Sequence, residues 1–198
     1  MNGPETTLQA PLVGAELEHR EARLVADALA GDGDAFARLV RPHLRVLHRV
    51  AARSARDPAL AEDAVQETLE AAFRGLRRYT PGTNLRAFLA SIAVRKAHTL
   101  VRGEIRRRLR EESSQAPEAP PDVADEVMAQ EQADRVSAAL SGFPKKRRQA
   151  AILRLDAGMS HREIATALGT SEGSARVLVH MALKELRRLL LDDQGRTR

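Results

Sequence analysis

The sequence predicts an all-α protein: two small helical domains joined by an acidic, proline-rich flexible linker. The apolar residues, 43% of the 198-residue chain, are mostly Ala, Leu and Val, and only 3% of the chain is aromatic. Ala and Leu are strong helix formers, and the alternating β-branched runs typical of strands are absent from the sequence. Apolar residues recur instead at three- and four-residue intervals, which is the spacing of one helix face.

The linker defines the predicted domain boundaries. Residues 113–122 read SSQAPEAPPD, and a segment with this composition cannot bury a core. A chain of this length can hold two small domains. The predicted division is a loose tail over 1–15, a first domain over 16–110, the linker over 111–123, a second domain over 124–192 and a short tail over 193–198.

Local signals mark the first two helices of the first domain. Gly31 can supply the left-handed residue that ends a helix beginning near residue 16. Asp34 is expected to cap the next helix, whose apolar pattern continues to about residue 50. Pro42 lies inside that pattern and should kink the helix.

Two more helices complete the first domain. Asp57 followed by Pro58 is an N-cap with proline at the first helical position, and the helix should run to about residue 78. The sequence YTPG over 79–82 is a turn signal that ends it. A further helix begins near Asn84, so the domain is predicted to be a four-helix bundle.

In the second domain, residues 158–171 form a helix-turn-helix pattern. Ser160 and Glu163 form a capping box, Gly169 can turn the chain, and Ser171 can cap the following helix. These are the parts that place a recognition helix in the major groove of DNA. A plain helical hairpin with solvated charges is the other interpretation.

The first residues of a recognition helix meet base edges. In this sequence those positions are Ser171, Glu172, Gly173, Ser174 and Arg176. Arg176 can read guanine or hold a phosphate. The basic cluster on the preceding helix is expected to supply salt-sensitive backbone contacts. Its members are Lys145, Lys146, Arg147 and Arg148, and Arg148 and Arg162 are counted among the −35 contacts.

Charge is segmented along the chain. The net charge of +5 permits a polyanionic partner. Residues 95–110 hold seven basic residues against one acid, whereas residues 111–134 hold eight acids and no base. The first segment is therefore a candidate phosphate-binding face.

Several classes of function lack support in the sequence. The chain has no cysteine, its six histidines show no metal-ligand spacing, and no glycine-rich phosphate loop or nucleophile motif is present. No apolar run reaches the roughly 20 residues that cross a bilayer, and the acidic N-terminus is unlike a signal peptide. We expect a cytoplasmic protein without catalytic activity, cofactor, metal or membrane insertion.

Two separated stretches resemble the extracytoplasmic-function sigma factors of the sigma-70 family. Residues 57–69, DPALAEDAVQETL, together with Phe73 and LRAFL at 85–89, resemble their region two. Residues 143–190 resemble their region four. The resemblance covers about residues 20–192 and includes the order, the spacing and the intervening linker.

The resemblance implies a subunit that binds core RNA polymerase, recognises the −10 and −35 promoter elements and supports DNA opening and transcription initiation. A stand-alone helix-turn-helix regulator that binds DNA without polymerase is the alternative. An acidic strip on the third helix distinguishes the two, because it has no obvious role in a simple repressor.

That strip is the set of residues that the resemblance assigns to the clamp helices of the largest polymerase subunit. Its members are Glu62, Asp63, Gln66 and Glu67, which are paired at i,i+4 and so share one helix face. An acidic polar strip suits a basic protein groove better than DNA. An ordinary solvated helix face is the alternative.

The resemblance also implies a set of residues that contact the −10 element. They are Arg78, Tyr79, Asn84, Arg86, Arg95, Lys96 and Arg102. Tyr79 offers a stacking face for an unstacked base, a contact of about 1–3 kcal/mol, or else it is a packing residue. The last three cations are spaced to hold phosphates along one helix, or they form a solvated basic face.

The recognition helix departs from the family pattern. Leu178 and Met181 stand where relatives often carry basic residues, and Val177 adds to the apolar surplus. This surplus should weaken phosphate binding, or it forms a protein contact with an anti-sigma factor or with the flap of the second-largest polymerase subunit. An anti-sigma factor is the family's usual regulator, and the linker of family members threads into the polymerase cleft.

Overall fold

The protein, described from a computed structural model, is helical throughout the parts that the structure describes, residues 14–111 and 135–195. The α-helices are α1 (Gly14–Leu29), α2 (Gly33–Val40), α3 (Leu44–Ala55), α4 (Pro58–Gly75), α5 (Leu85–Glu111), α6 (135–141), α7 (Lys145–Leu155), α8 (His161–Leu168) and α9 (Glu172–Gly195). Short 3-10 turns lie at Arg41–His43 and Leu76–Arg78. The prediction of an all-α chain with two helical regions is confirmed.

The predicted tails are shorter than expected, because α1 begins at Gly14 and α9 continues to Gly195. The rest of the tail over 1–15, the linker after Glu111, the first part of the second domain and residues 196–198 lie outside the described residues.

The first helical region is a bundle in which α3, α4 and α5 pack on one another and α1 packs on α2. Leu47, Leu76, Leu89 and Val94 are among its fully buried side chains. Burying an aliphatic side chain of this size contributes about 1.5–3 kcal/mol. The apolar periodicity of the sequence therefore identifies the faces that form this core.

Proline and aspartate set the element boundaries in this bundle. Pro42 interrupts the expected second helix with a 3-10 turn, so the predicted kink is a full break between α2 and α3. Asp57 caps α4 by accepting a hydrogen bond from the Leu60 amide at 3.0 Å. The prediction that Asp34 caps α2 is wrong. Asp32 is the N-cap, because it has the extended backbone a cap needs, whereas Asp34 already lies in the first helical turn.

The second helical region contains the predicted helix-turn-helix, in which α7 and α8 pack against α9. Ser160 and Glu163 form the predicted capping box. Gly169 adopts a left-handed φ of 59° at the turn, a conformation that costs glycine little. Ser171 accepts a hydrogen bond from the Ser174 amide at 3.1 Å and so caps α9 as predicted.

The two helical regions touch each other, because α7 packs against α3 and α5, and α8 packs against α5. This packing brings the start of α5 beside the helix-turn-helix. None of the helices over 14–111 and 135–195 is long and apolar enough to cross a membrane.

Candidate functional site

The acidic strip lies on the outer face of α4. Glu62, Asp63 and Gln66 are exposed, and Glu67 is half-buried. The residues that alternate with them point into the bundle: Ala61, Ala64, Val65 and Thr68 are buried. The helical period therefore separates an apolar face that holds α4 in place from a polar face that lies towards solvent.

Tyr79 lies at the end of α4's 3-10 turn and is only 6% exposed. Its hydroxyl donates to the Glu21 carboxylate and lies 2.9 Å from the carbonyl oxygen of Thr83. Burial raises the pKa of Tyr79, and the hydrogen bond to Glu21 raises it further. The ring packs 5.4 Å from that of Phe88. These contacts favour the packing interpretation of Tyr79 over the stacking one in this arrangement of the chain.

Asn84 directly precedes α5, Arg86 lies in its first turn, and both face the second helical region. Asn84 Oδ1 accepts a hydrogen bond from the Ala87 amide at 3.1 Å, which caps the helix. Arg86 is half-buried, and its Nε is a buried donor without a hydrogen-bond partner. A Cβ atom placed on Gly158 would lie 3.5 Å from Arg86 Nη2, so the guanidinium lies against the turn between α7 and α8.

The predicted phosphate-binding cations of α5 differ in their surroundings. Arg95 and Arg102 are exposed, as is Arg78 in the preceding 3-10 turn. Lys96 instead forms an ion pair with Glu67 of α4, with 2.8 Å between Nζ and Oε2. The sequence did not indicate this pairing, because the two residues lie on different helices.

The recognition helix α9 presents its first turn to solvent. Glu172, Gly173, Ser174 and Arg176 are exposed, and Arg176 lies 3.6 Å from Glu172 in an exposed i,i+4 ion pair. The predicted inward residues are buried: Ala175, Val179 and Ala182. The arrangement leaves the base-reading positions accessible.

Two large apolar side chains extend this exposed face of α9. Val177 is 56% exposed and Met181 is 43% exposed, whereas Leu178 packs partly against the core. The apolar surplus predicted at these positions therefore lies mainly on the surface.

Two basic residues near the start of α7 make contacts within the protein that limit their availability to a partner. Arg147 pairs with Glu185 of α9 at 2.7 Å. Arg148 is half-buried beside Arg56, and burial together with that charge lowers its pKa. Arg162 on α8 is exposed.

A cleft of about 420 Å³ separates the start of α5 from α8. Tyr79, Asn84 and Arg95 lie on its first wall, and Arg162 and Glu163 lie on the second. Residues predicted to contact two different promoter elements thus line one cleft. No group of His, Cys, Asp and Glu side chains suited to a metal ion occurs in the described ranges.

Comparison with known families identifies both halves of the chain. Residues 39–114 match the model of sigma-70 region 2, and residues 133–186 match that of sigma-70 region 4. The RNA polymerase sigma factor CarQ of Myxococcus xanthus is 33% identical over 81% of this chain and 91% of its own length. The ECF RNA polymerase sigma factor SigM of Mycobacterium tuberculosis is 32% identical over 89% of this chain and 88% of its own.

The chain belongs to the extracytoplasmic-function sigma factors of the sigma-70 family. Such a sigma factor is a DNA-binding regulatory subunit that directs RNA polymerase to promoters and acts in transcription initiation. The match to region 2 includes α3, α4 and α5, a region that a stand-alone helix-turn-helix regulator would not need.

Solved structures share the fold of this sigma factor. CnrH in complex with the cytosolic domain of CnrY has a TM-score of 0.66 and 26% identity, covering 88% of this chain and 99% of that one. The sigma factor RpoE in complex with the anti-sigma factor NepR from Bartonella quintana has a TM-score of 0.62 over 78% of this chain and 96% of that one. At 23% identity the second comparison supports the fold alone.

Proposed function

We propose that this sigma factor binds core RNA polymerase through Glu62, Asp63, Gln66 and Glu67, which dock on the clamp helices of the largest subunit. The observation that carries the proposal is the exposure of three of these four residues on a helix that buries its other face in the bundle. The backbone that carries these side chains is already ordered in a packed helix. No segment of chain has to fold on binding, which lowers the entropic cost of association.

The test is co-elution with purified core polymerase on a sizing column. The double variant Glu62→Lys, Asp63→Arg reverses two charges and should lose co-elution and promoter-dependent run-off transcription while keeping its helical circular dichroism. Glu16→Lys with Asp27→Arg on α1 makes the same change in net charge at exposed positions and should behave as wild type. Normal co-elution of the α4 variant would overturn the assignment.

For the −10 element, we assign the start and the outer face of α5. Asn84 and Arg86 supply hydrogen-bond donors at one end, and Arg95 and Arg102 are exposed cations about two helical turns apart along the same helix. Arg78 precedes them in the 3-10 turn. The buried ring of Tyr79 packs on Phe88 and so supports this surface from within the protein.

For the −35 element, we assign the first turn of α9, from Ser171 to Arg176, with Arg148 and Arg162 as phosphate contacts. Exposure of Glu172, Ser174 and Arg176 above buried Ala175 fits a helix that enters a major groove.

The exposed Val177 and Met181 point to a protein partner for the same helix. Apolar side chains of this size are uncommon in phosphate-binding surfaces and common in the cores of protein interfaces. We assign them to an anti-sigma factor, or to the flap of the second-largest polymerase subunit. Binding of an anti-sigma factor would keep this non-catalytic, cytoplasmic protein inactive until a signal releases it.

The proposed domain organisation follows the family-model matches. A polymerase- and −10-binding domain extends to residue 110, and a −35-binding domain lies between 124 and 192, with an acidic tether between them. The two family-model matches, over 39–114 and 133–186, lie on either side of the undescribed residues and support this division.

A further inference from the structure

The four-residue turn between α4 and α5, residues 80–83, is hydrogen-bonded to itself. It has proline at its second position and glycine at its third, and Gly82 has a left-handed φ of 82°, as a type II turn requires. The Thr83 amide donates to the Thr80 carbonyl oxygen at 3.2 Å, and the Thr83 hydroxyl donates to the same oxygen at 2.7 Å. The turn therefore has a defined shape, although all four of its residues are exposed.

Glu21 of α1 connects this turn to the rest of the bundle. Its Oε1 atom accepts a hydrogen bond from the Tyr79 hydroxyl and a second from the Gly82 amide at 3.3 Å. The two donors lie 58 and 61 residues further along the chain. One carboxylate oxygen of the first helix thus contacts both the residue before the turn and a residue within it.

The helix α1 is packed firmly enough to hold that carboxylate in place. Val25 and Ala28 are buried, and Val25 lies about one helical turn from Glu21. The helix packs on α2 and also contacts the 3-10 turn at Leu76–Arg78. Because α1 precedes residues 39–114, the match to region 2 does not include Glu21.

We propose that Glu21 is a positioning residue for −10 recognition, because it holds the segment that joins Arg78 to Asn84. These two residues flank Tyr79 and the turn, so the shape of the turn sets their separation and their directions. A turn that is already ordered meets a base at lower entropic cost than one that must be ordered on binding. The inference rests on the −10 assignment proposed above.

Loss of the Glu21 carboxylate should affect base preference more than overall affinity. In the proposed function, the exposed cations Arg95 and Arg102 lie further along α5 and hold phosphates whatever the base. Only a strand whose base fits beside the turn gains from the order of the turn. Affinity for a matched strand should therefore fall, while affinity for an altered strand stays nearly the same.

The hydrogen bond itself can be observed in solution, because Tyr79 is the single tyrosine of a chain that has no tryptophan. Burial raises the pKa of Tyr79, and the hydrogen bond to Glu21 raises it further. A carboxylate that accepts this bond also quenches the fluorescence of the phenol. Glu21→Ala should therefore increase the tyrosine emission of the full-length chain and lower the pKa of Tyr79 towards its ordinary value of about 10. Unchanged emission and pKa would overturn the inference.

Base preference is measured with the sigma factor bound to core RNA polymerase. The probe is a fluorescein-labelled single-stranded DNA that the wild-type complex selects from a library of random sequence, compared with the same strand altered at each position in turn. At the base beside the turn, Glu21→Ala should lower the ratio of matched to altered affinity about fivefold or more, the effect of leaving about one backbone residue unordered. The salt dependence of binding should stay as in wild type, because the phosphate contacts are unchanged.

Three further variants distinguish positioning from general destabilisation. Tyr79→Phe keeps the ring against Phe88 but removes the hydroxyl, and it should reproduce the loss of base preference. Glu21→Gln keeps a carbonyl oxygen that can accept both hydrogen bonds, and it should restore most of that preference. Glu16→Ala removes an exposed carboxylate from the same helix and should change neither emission nor base preference.

The outcomes separate this inference from the proposed function. If the wild-type complex selects a base and Glu21→Ala leaves the ratio unchanged, Glu21 has no positioning role and the −10 assignment stands. If Glu21→Ala lowers affinity for matched and altered strands equally, Glu21 only stabilises the bundle, and the inference fails in that case too. If the wild-type complex selects no sequence, the −10 assignment fails and takes the inference with it.

Discussion

Lys96 Nζ lies 2.8 Å from Glu67 Oε2, so an ion pair joins the acidic strip of α4 to the basic face of α5. The two side chains are 30% and 40% exposed, and a pair this open contributes at most about 1 kcal/mol to stability. The pair fixes one member of each proposed binding surface relative to the other. If the proposed polymerase contact at Glu67 forms, it therefore affects the cation beside it.

The Lys96–Glu67 pair provides the first prediction. Lys96→Met should reduce promoter opening more than Glu67→Gln does, because only the first change removes a cation that can hold a phosphate. Thermal unfolding should show the same small loss of stability for both variants, and their double variant should lose no more than the larger single loss. Equal defects in opening, with core-polymerase binding unchanged in both variants, would show that the pair has only a structural role.

Arg176 provides the second prediction. Arg176→Ala should lower affinity for promoters with an intact −35 box by about 1–3 kcal/mol, with a smaller effect when that box is altered. Fluorescence anisotropy with both DNAs measures the difference. Arg187→Ala, at an exposed cation further along α9, is the control. If affinity for both DNAs falls equally, and the slope of log affinity against log salt concentration becomes shallower by about 1, Arg176 holds a phosphate instead of a base.

The exposed apolar residues of α9 provide the third prediction. Val177→Lys with Met181→Lys should strengthen DNA binding and make its dependence on the logarithm of salt concentration steeper by about 2, since each new contact contributes about 0.9. Titration of binding against salt measures this slope. Leu191→Lys places a charge at another exposed apolar position of α9 and should leave the slope unchanged. An unchanged slope in the double variant would place this face away from the DNA.

The capping box provides the fourth prediction. Ser160→Ala removes the acceptor for the Glu163 amide and should destabilise region 4 by about 0.5–2 kcal/mol, seen as a lower denaturation midpoint. Thr166→Ala, at an exposed position within the same helix, should have almost no effect, since alanine favours helix. A similar loss in both variants would show that the cap is not what stabilises α8.

His98 provides a prediction about pH. Burial, followed by the charges of Lys145, Arg148 and Arg102, lowers the pKa of His98 to about 4. The unfolded chain takes up this proton near the ordinary pKa of about 6.5, whereas the folded chain does not. The folded chain therefore loses stability as pH falls from about 7 towards 4. This is the direction expected when the folded state binds fewer protons than the unfolded state.

The His98→Gln variant tests that prediction, because it removes this one titrating group and leaves the others in place. Denaturant unfolding of wild type and variant across this pH range should show a steeper decline for the wild type, because carboxylates contribute equally to both. Parallel curves would mean that His98 is solvated in the folded state. Since Lys145 and Arg148 belong to α7, protonation of His98 should also weaken the contact between the two regions.

Local chemistry in the sequence was enough to predict much of the fold. The Asp57–Pro58 start of α4, the capping box at Ser160 and the glycine turn at Gly169 involve groups within a few residues of one another, so sequence spacing describes them completely. The exposed strip on α4 follows from the helical period alone. The predicted cap of α2 lies two residues from the observed one, because Asp32 and Asp34 have the same chemistry and only their backbone angles distinguish them.

The order of residues is enough to predict that this chain is helical, where most helices begin and end, and which family it resembles. The burial of Tyr79, the pairing of Lys96 with Glu67, and the contact of Asp156 with Arg53 across 103 residues of chain appear only in the folded protein. Caps and periodicity act over one or two helical turns. A pairing between helices depends on how their packed faces orient the polar ones, and that orientation exists only in the folded chain.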